Sequence, residues 1–352
     1  MSARRILFCW MLASLCLLSG GAEAQVVTEY SVGITAGSFP TGIATGPDGN
    51  LWFTEAGSGG GGSGGGIGRI TPLGFVTEFK AGVTPGFSAG AQPWAITAGP
   101  DGNLWYTDIN LSRIGRITPA GVVTEFNIGL SNGAQLFGIT AGPDGNVWFT
   151  DSNFVQIGTI TPAGVITERG AGITGGGLRD ITTGADGNLW FTEFFGNKIG
   201  RITTTGVVTE FDASFNSAAG PFGITAGPDG NLWFTEAGAS SSPPFIGRIT
   251  TAGVVTEFVL PTIGVVPTGI TVGTDGNLWF AEQAGDAIGR ITTTGVVTEF
   301  TAGITRPGAA PFGITAGPDG NLWFTEITGN RIGSITTGAL GDFIFVDGFD
   351  GA

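Results

Sequence analysis

The sequence predicts an all-β fold, a seven-bladed β-propeller of four-stranded blades closed by pairing of the N-terminal strand into the last blade. Three observations support this prediction. A turn of the Pro-Asp-Gly-Asn type followed by a strand like Leu-Trp-Phe-Thr-Glu occurs seven times, at spacings of 42 to 53 residues. Each unit contains four short stretches typical of strands, and the N-terminus supplies the strand that the last unit lacks. Repeats of this length bury their apolar faces only against neighbouring repeats.

The fifth unit shows how one blade is read from the sequence. Residues 222–226 form a short apolar run, and Pro-Asp-Gly-Asn at 228–231 has the chemistry of a tight hairpin turn. Residues 232–236 are rich in aromatic and β-branched side chains, which favour a strand. A variable loop leads to residues 246–250, and a second tight turn returns the chain as residues 254–258. Four strands with two hairpin turns are typical of a propeller blade.

Closure of the ring is predicted from the two ends of the chain. The seventh unit ends near Thr337 without the Val-Val-Thr-Glu-Phe strand that completes the other units. Residues 26–30 have the sequence Val-Val-Thr-Glu-Tyr and supply that strand. Pairing them into the last blade would remove an open sheet edge.

The first 24 residues are predicted to be a secretory signal peptide. Arg4 and Arg5 precede an apolar stretch at residues 6–18, and Ala-Glu-Ala at 22–24 is a small-residue cleavage site. The apolar stretch is too short to span a bilayer. We therefore expect a soluble chain that is secreted or periplasmic in a bacterium. The propeller then occupies residues 25–338, and residues 339–352 form a C-terminal tail outside the repeats.

Composition limits the chemistry of the mature chain. Both cysteines lie within the signal peptide, and the sequence contains no histidine, so disulfides, Ser-His-Asp triads and imidazole metal ligands are excluded. Because the signal peptide contains Arg4, Arg5 and Glu23, the remaining 12 basic and 27 acidic residues give a net charge of −15. Such acidity disfavours nucleic acid and membrane surfaces as partners. The alternative is that the acidic residues only keep the protein soluble. We expect a monomer whose partner is a small molecule or an extracellular protein or glycan.

Turn lengths distinguish the two faces of the ring. The turns after the first and third strands barely vary in length, and they define what we call the turn face. The connections between the second and third strands, and those between blades, vary in length and lie on the opposite face, which we call the loop face. Variable loops on a rigid scaffold commonly carry binding sites. We therefore predict the functional site on the loop face.

Two repeated positions adjoin the loop face. The second strand of every unit ends in a carboxylate, at Glu55, Asp108, Asp151, Glu193, Glu236, Glu282 and Glu326. Fourteen residues earlier is the residue that opens the blade, which is Thr41, Trp94, Phe137, Arg179, Phe222, Thr268 or Phe312. Carboxylates that leaned toward the axis would attract a hard cation such as Mg²⁺. The predicted metal ligands are Glu193, Glu236, Glu282 and Glu326; the alternative is that all seven are solvated strand ends.

The blade-opening residues are also the predicted ligand-binding positions. Trp94 is the one tryptophan of the mature chain that does not belong to the repeated Leu-Trp-Phe motif. We predict that it contacts a ligand together with Phe137, Phe222 and Phe312, because aromatic faces stack on flat ligands, and that Arg179 adds a charged contact. Burial of Trp94 in the core is the alternative.

For two further sets of charged residues we predict a structural role. The aspartates of the Pro-Asp-Gly-Asn turns lack the spacing of a calcium loop, so we predict that they serve the turn itself. Arg69 in a third strand is followed nine residues later by Glu78, and four other units repeat this pattern. Across a tight hairpin this spacing suggests an opposite-charge pair that supports the sheet.

The units at residues 221–236 and 311–326, with Ile-Gly-Arg-Ile-Thr at 246–250, resemble those of the virginiamycin B lyase (streptogramin B lyase) family. The resemblance covers residues 26–337. It implies a seven-bladed propeller and a Mg²⁺-dependent carbon–oxygen lyase that opens the cyclic streptogramin B depsipeptide by elimination across its ester bond. It also implies a histidine base that opens a late blade, fourteen residues before a metal-associated glutamate. Here these positions are Thr268 and Glu282, so the glutamate is present and threonine replaces the histidine.

Three functional hypotheses remain open. The first is a secreted propeller of this family that binds a ligand or partner on its loop face without the catalytic histidine. The second is an enzyme, either a lyase with a substituted base or a metal-dependent hydrolase that uses carboxylates. The third is a cell-surface interaction module without a small ligand.

Overall fold

Seven antiparallel sheets of four strands each form the protein in the computed structural model, which describes residues 25–57, 65–80, 84, 87–212, 220–238 and 243–338. The predicted signal peptide and C-terminal tail lie outside the described residues. Within those ranges, no helix is long and apolar enough to cross a membrane.

The strands are four to six residues long and follow one another through short turns and loops. The first half of the chain contains β1 Val27–Tyr30, β2 Pro40–Thr45, β3 Leu51–Glu55, β4 Gly66–Ile70, β5 Val76–Lys80, β6 Pro93–Ala98, β7 Leu104–Asp108, β8 Arg113–Ile117, β9 Val123–Phe126, β10 Leu136–Ala141, β11 Val147–Asp151, β12 Gln156–Ile160, β13 Ile166–Arg169 and β14 Leu178–Thr183. The second half contains β15 Leu189–Glu193, β16 Lys198–Ile202, β17 Val208–Asp212, β18 Pro221–Ala226, β19 Leu232–Glu236, β20 Phe245–Ile249, β21 Val255–Val259, β22 Pro267–Val272, β23 Leu278–Glu282, β24 Ala287–Ile291, β25 Val297–Phe300, β26 Pro311–Ala316, β27 Leu322–Glu326 and β28 Arg331–Ile335.

Blades one to six are formed by consecutive strands, from β2–β5 to β22–β25, and the seventh blade has the order β26-β27-β28-β1. Strand β1 pairs antiparallel with β28, with Val27 opposite Ile335 and Tyr30 opposite Ile332. The first strands of all blades contact one another around the central axis, and β26 contacts β2 to complete the circle. The predicted seven-bladed propeller and its closure by the N-terminal strand are therefore confirmed.

The repeated tryptophan joins each blade to the next. Trp52 is completely buried and packs against Ile96, Leu104 and Tyr106 of the following blade. Burial of a large apolar side chain contributes roughly 1.5–3 kcal/mol. Its indole nitrogen donates to Asp48 Oδ1 at 2.9 Å, and the same carboxylate accepts from Asn50 Nδ2 at 2.8 Å.

All seven turns repeat these bonds from tryptophan and asparagine to aspartate. Turn chemistry therefore accounts for the aspartates, as the sequence indicates.

The predicted ion pair between Arg69 and Glu78 is wrong. The register places Arg69 opposite Thr77, and Glu78 opposite Gly68, so the two charged side chains point to opposite faces of the sheet. The Arg69 guanidinium lies over the Trp52 ring, 5.5 Å from its centroid. Glu78 instead accepts hydrogen bonds from the backbone N–H and the hydroxyl of Thr35, at 2.7 and 2.6 Å.

Candidate functional site

A β-bulge lies at the loop-face end of every first strand. In the first blade Pro40 pairs with Glu55 and Ile43 pairs with Phe53, so two residues, Thr41 and Gly42, face one residue of β3. The same irregularity occurs in the other six blades. Bulges re-aim side chains. Each blade-opening residue therefore leaves the regular alternation of its strand, and six of the seven line a cavity on the axis.

A threonine of the second strand holds the bulge and connects neighbouring blades. Thr235 Oγ1 accepts from Gly223 N at 2.9 Å and donates to the carbonyl oxygen of Thr268 in the next blade at 2.7 Å. Equivalent bonds to the next blade come from Thr54, Thr107, Thr150, Thr192 and Thr325. Sequence reasoning missed these residues, although the threonine before the strand-end carboxylate is a visible regularity of the repeat.

The sixth blade is the exception, because it lacks the bridging threonine of the second strand. Its second strand has Ala281 where the other blades have threonine. The Thr268 hydroxyl donates to the carbonyl oxygen of Phe312 in the next blade at 2.9 Å, and thus makes the bond that Ala281 cannot make. Thr268 is buried, and the cavity is lined in this blade by Gly269 and Ile270. The hydroxyl is engaged in joining blades rather than directed at the cavity.

The axial cavity has a volume of about 160 Å³ and is built in three layers from the first strands. The outer layer, at the loop face, contains the blade-opening side chains. The middle layer is mostly glycine, because the neighbouring strand is close: a Cβ on Gly223 would lie 2.4 Å from the Thr268 carbonyl oxygen. The inner layer is formed by the isoleucines Ile43, Ile96, Ile139, Ile270 and Ile314.

Aromatic side chains encircle the outer layer of the cavity. Trp94 meets Phe137 edge-to-face, with ring centroids 5.6 Å apart, and meets Phe312 at 5.5 Å. Phe312 meets Phe222 at 5.6 Å, and Phe222 meets Phe194 at 6.3 Å. The structure therefore brings together the predicted binding residues Trp94, Phe137, Phe222 and Phe312. Phe194, which lies in the loop after β15, was not predicted.

The fourth blade places the cavity's two charged residues next to each other in the wall. The Arg179 guanidinium carbon lies 4.2 Å from the Phe137 ring centroid and 5.4 Å from that of Phe194, closing the circle of side chains. Asp180 occupies the middle layer, where five other blades have glycine. Its carboxylate accepts from the backbone nitrogens of Ile181 at 2.9 Å and Ile224 at 3.0 Å. Burial raises the pKa of Asp180 to about 6, against the opposing effect of those two bonds.

The strand-end carboxylates do not line this cavity. All seven are buried inside their own blades, each with an exposed fraction of 0 or 1%. Burial, together with a glutamate of the fourth strand beside each group, raises the pKa of Glu193 to about 7 and that of Glu236 and Glu326 to about 8. The same two causes raise the pKa of Glu282 to about 8. In the parts of the chain that the structure describes, no three acidic side chains gather closely enough to hold a metal ion.

Lysine or arginine side chains contact some of these carboxylates and not others. Lys80 contacts Glu55 in the first blade, and Arg331 Nε lies 3.0 Å from Glu326 Oε2 in the seventh. At the position equivalent to Arg331, the fifth blade has Phe245 opposite Glu236, and the sixth has Ala287 opposite Glu282. Both carboxylate oxygens of Glu236 and Glu282 are buried and have no hydrogen-bond partner among the described residues.

Comparison with known proteins decides the family. The sequence model described as the Virginiamycin B lyase family matches residues 22–167 and 131–347. The chain belongs to this family. No curated protein sequence shows significant similarity to it.

Solved structures of the virginiamycin B lyase family are similar over nearly their whole length. A streptogramin B lyase structure is 34% identical over 89% of this chain and 97% of its own, with a TM-score of 0.78. The virginiamycin B lyase of Staphylococcus aureus is 36% identical over 89% of this chain and 99% of its own, with a TM-score of 0.77. A catalytically inactive histidine-to-alanine variant of that lyase, with quinupristin, matches at 35% identity, with 89% and 99% coverage and the same TM-score.

More distant propellers share only the architecture. The extracellular domain of a hybrid two-component system from B. thetaiotaomicron is 15% identical over 89% of this chain and 43% of its own, with a TM-score of 0.68.

The Mg²⁺ that the virginiamycin B lyase family implies does not fit the residues around Glu282. The carboxylates there are Glu282 and Glu299, and the described residues offer no third acidic side chain. Glu282 has no exposed surface, whereas Mg²⁺ in proteins usually keeps several waters and demands octahedral oxygen ligands. The Thr268 hydroxyl donates its hydrogen bond to the Phe312 carbonyl oxygen. No catalytic step through a metal follows from this arrangement.

Proposed function

We propose that this chain is an exported member of the virginiamycin B lyase family that binds an apolar small molecule in its axial cavity and does not carry out the lyase reaction. The single observation that carries the proposal is the cavity itself. Four aromatic blade-opening side chains surround the opening of the cavity at the loop face, and five isoleucines form its inner layer. Concave, mostly apolar sites with a few polar groups are typical of small-molecule binding.

The chemistry of the chain supports binding over elimination. A lyase of this family implies a histidine that removes a proton, and the sequence contains no histidine. The position assigned to that base is Thr268, whose hydroxyl is a weak acid and is engaged in the bond between blades six and seven. The remaining side chains of the cavity are apolar apart from Thr41, Arg179 and Asp180. Asp180 already accepts two backbone hydrogen bonds.

Binding can be measured by the fluorescence of Trp94. The other seven tryptophans of the propeller have exposed fractions of 0 or 1%, so Trp94 is the indole that a cavity ligand would contact. We expect naphthalene derivatives to change the emission of the mature protein, and the Trp94→Phe variant to lose this change while still binding in calorimetry. If no derivative binds by either method, the proposed function is wrong.

A turnover assay tests the second part of the proposal. The mature protein should leave quinupristin intact, with or without Mg²⁺, in a chromatographic assay that detects ring opening. Mg²⁺-dependent opening that disappears in Glu282→Gln would overturn the proposal and establish the lyase activity.

The enzyme hypothesis retains one specific observation in its favour. Glu282 matches the metal-associated glutamate that the family implies, and its two oxygens have no hydrogen-bond partner among the described residues. A lyase with another base, or a hydrolase that uses carboxylates, would need this group to bind Mg²⁺. Calorimetry of Mg²⁺ binding to wild type and Glu282→Gln separates the two cases.

Export is proposed from the N-terminal sequence. Arg4 and Arg5, the apolar stretch at 6–18 and the Ala-Glu-Ala at 22–24 support cleavage before Gln25. N-terminal sequencing of the protein from the periplasm or medium should begin at Gln25. A mature protein in the cytoplasm that begins at residue 1 or 2 would contradict the proposal.

A further inference from the structure

We infer that the axial cavity selects an anionic ligand, a flat apolar compound bearing a carboxylate or similar group, and that Arg179 is the residue that recognises the anion. The inference rests on the proposed function, because it names the chemistry of the ligand that the cavity binds. It is carried by the position of Arg179, the one basic residue of the cavity wall, in the outer layer among aromatic side chains.

Arg179 has no acidic partner within the described residues. Among the described residues, ten contacts of Lys and Arg side chains are ion pairs within 4.0 Å, and none involves Arg179. Arg169, Arg290 and Arg306 also make none, but of these four arginines only Arg179 lines the cavity. Its Nε is buried without a hydrogen-bond partner among the described residues, and the side chain as a whole is partly buried. Partial removal of an arginine charge from water without a counter-charge is unfavourable, since charged groups in proteins are normally paired or hydrated. A ligand anion would reduce this penalty.

The neighbouring side chains leave the guanidinium oriented but unsatisfied. Phe137 and Phe194 lie at 4.2 and 5.4 Å from its carbon, which is cation–π packing. Stacking engages the flat face of a guanidinium and leaves its N–H edge available for a carboxylate, which the planar group can bind with two parallel bonds. The aromatic residues therefore restrict the rotation of Arg179 without neutralising it.

Asp180 does not act as the missing counter-ion. Its Oδ1 accepts from Ile181 N at 2.9 Å and its Oδ2 accepts from Ile224 N at 3.0 Å, so the carboxylate spans the first strands of blades four and five. It also lies one layer deeper than Arg179. A negative group in the middle layer disfavours a second anion there. The ligand is therefore oriented with its anion at the mouth and its apolar body against the isoleucines of the inner layer.

The net charge of −14 for the whole sequence opposes an anionic ligand at long range. At physiological ionic strength, however, charges separated by more than about 8 Å are largely screened. The direct contact at Arg179 would be shorter than this distance and partly shielded from water. We therefore expect the local attraction to decide the affinity and the net charge to reduce only the association rate.

The test compares two probes that differ in charge and little in shape. Calorimetric titration of the mature protein with 2-naphthoate and with 2-naphthamide should show naphthoate binding on the order of 10-fold more tightly. In Arg179→Gln this preference should disappear, and in Arg179→Lys it should be partly retained. Arg201→Gln is the matched control, because Arg201 belongs to the same blade and lies over the Trp190 ring near the turn face, 5.5 Å from its centroid.

The outcomes separate this inference from the proposed function. If naphthamide binds as tightly as naphthoate, or if Arg179→Gln keeps the preference, Arg179 does not recognise an anion, although the cavity still binds ligands. If neither probe binds and Trp94 fluorescence is unchanged, both the inference and the proposed function fail. Thermal unfolding of each variant shows whether the loss of preference occurs in a folded protein.

Discussion

In the fifth blade, the turn before the second strand and the end of that strand carry carboxylates in opposite environments. At the turn face, Asp229 accepts from Asn231 Nδ2 at 2.8 Å and from Trp233 Nε1 at 3.0 Å. At the loop face, seven residues along the chain, Glu236 has two buried oxygens without a hydrogen-bond partner among the described residues. Although burial opposes it, hydrogen bonding lowers the pKa of Asp229, whereas burial and the nearby Glu257 raise the pKa of Glu236 to about 8.

This difference distinguishes carboxylates that stabilise the ring through hydrogen bonds from carboxylates that are buried without hydrogen-bond partners. The turn-face aspartate is part of a complete local hydrogen-bond set that seven blades repeat. The loop-face carboxylates differ from blade to blade in whether a lysine or arginine accompanies them. Unsatisfied buried groups in native proteins commonly lie near functional surfaces. The loop face is also where the cavity opens.

The largest expected effect comes from removing the carboxylate at the turn face. Asp229→Ala leaves the buried Trp233 N–H without an acceptor and releases Asn231, so we expect the free energy of unfolding to fall by about 2–3 kcal/mol. Chemical denaturation at neutral pH measures this loss. Asp229→Asn keeps an oxygen near Trp233 and should lose less. An unchanged midpoint in Asp229→Ala would show that the turn does not need its aspartate.

A smaller effect of opposite sign is expected at the loop face, and it depends on pH. Between about pH 4.5 and about pH 8 the unfolded chain has released the proton of Glu236, while the folded chain keeps it. The unfolded state then binds fewer protons, so Glu236 lowers the stability progressively as the pH rises through this range. Glu236→Gln should therefore raise the free energy of unfolding at pH 8 by about 1.4 kcal/mol, the equivalent of one pKa unit, and change it little at pH 4.5.

The control for this prediction is Glu55→Gln in the first blade. Burial and the nearby Glu78 raise the pKa of Glu55 to about 7, against the opposing effect of Lys80. This pKa is raised less than that of Glu236, and removal of the carboxylate leaves Lys80 without this partner. We therefore expect a smaller gain of stability at pH 8 than for Glu236→Gln. Denaturant unfolding at both pH values tests the pair. Equal effects of Glu236→Gln at pH 4.5 and pH 8 would contradict the assignment of the raised pKa to Glu236.

The fold could be predicted from the sequence because its determinants are local and repeated. The period of the repeat, the glycine and asparagine of each turn, and Val27–Tyr30 at the N-terminus identify the blades and their closure. The blade-opening residues could be placed near the axis for the same reason, since each has a fixed distance from a turn.

Contacts that depend on register or on a neighbouring blade could not be predicted. Arg69 and Glu78 were expected to face each other, but the pairing differs by one residue, which reverses the side of the sheet. In six blades the bulge of the first strand is bonded to a threonine that bridges two blades, and a single repeat gives no indication of that bridge. For the strand-end carboxylates the sequence allows two placements, a ring around the axis or solvated strand ends. They are instead buried within their blades.

The smallest expected effect concerns the exchange of a hydroxyl between two positions of the sixth blade. Thr268→Val removes the bond to the Phe312 carbonyl and should lower the free energy of unfolding by about 1 kcal/mol, the usual net contribution of one hydrogen bond. Ala281→Thr introduces the hydroxyl at the position that makes this bond in the other six blades. In the Thr268→Val background it should restore most of the lost stability, whereas in the wild-type background it should add little.

A double-mutant cycle in denaturant measures this coupling directly. Restoration would show that Thr268 has taken over a structural bond at the position where relatives of this chain are expected to carry a catalytic histidine. If the two substitutions are simply additive, the hydroxyl of Thr268 is not fixed between the blades. It would then be available to the cavity, and the case for a catalytic or binding role at this position would be reopened.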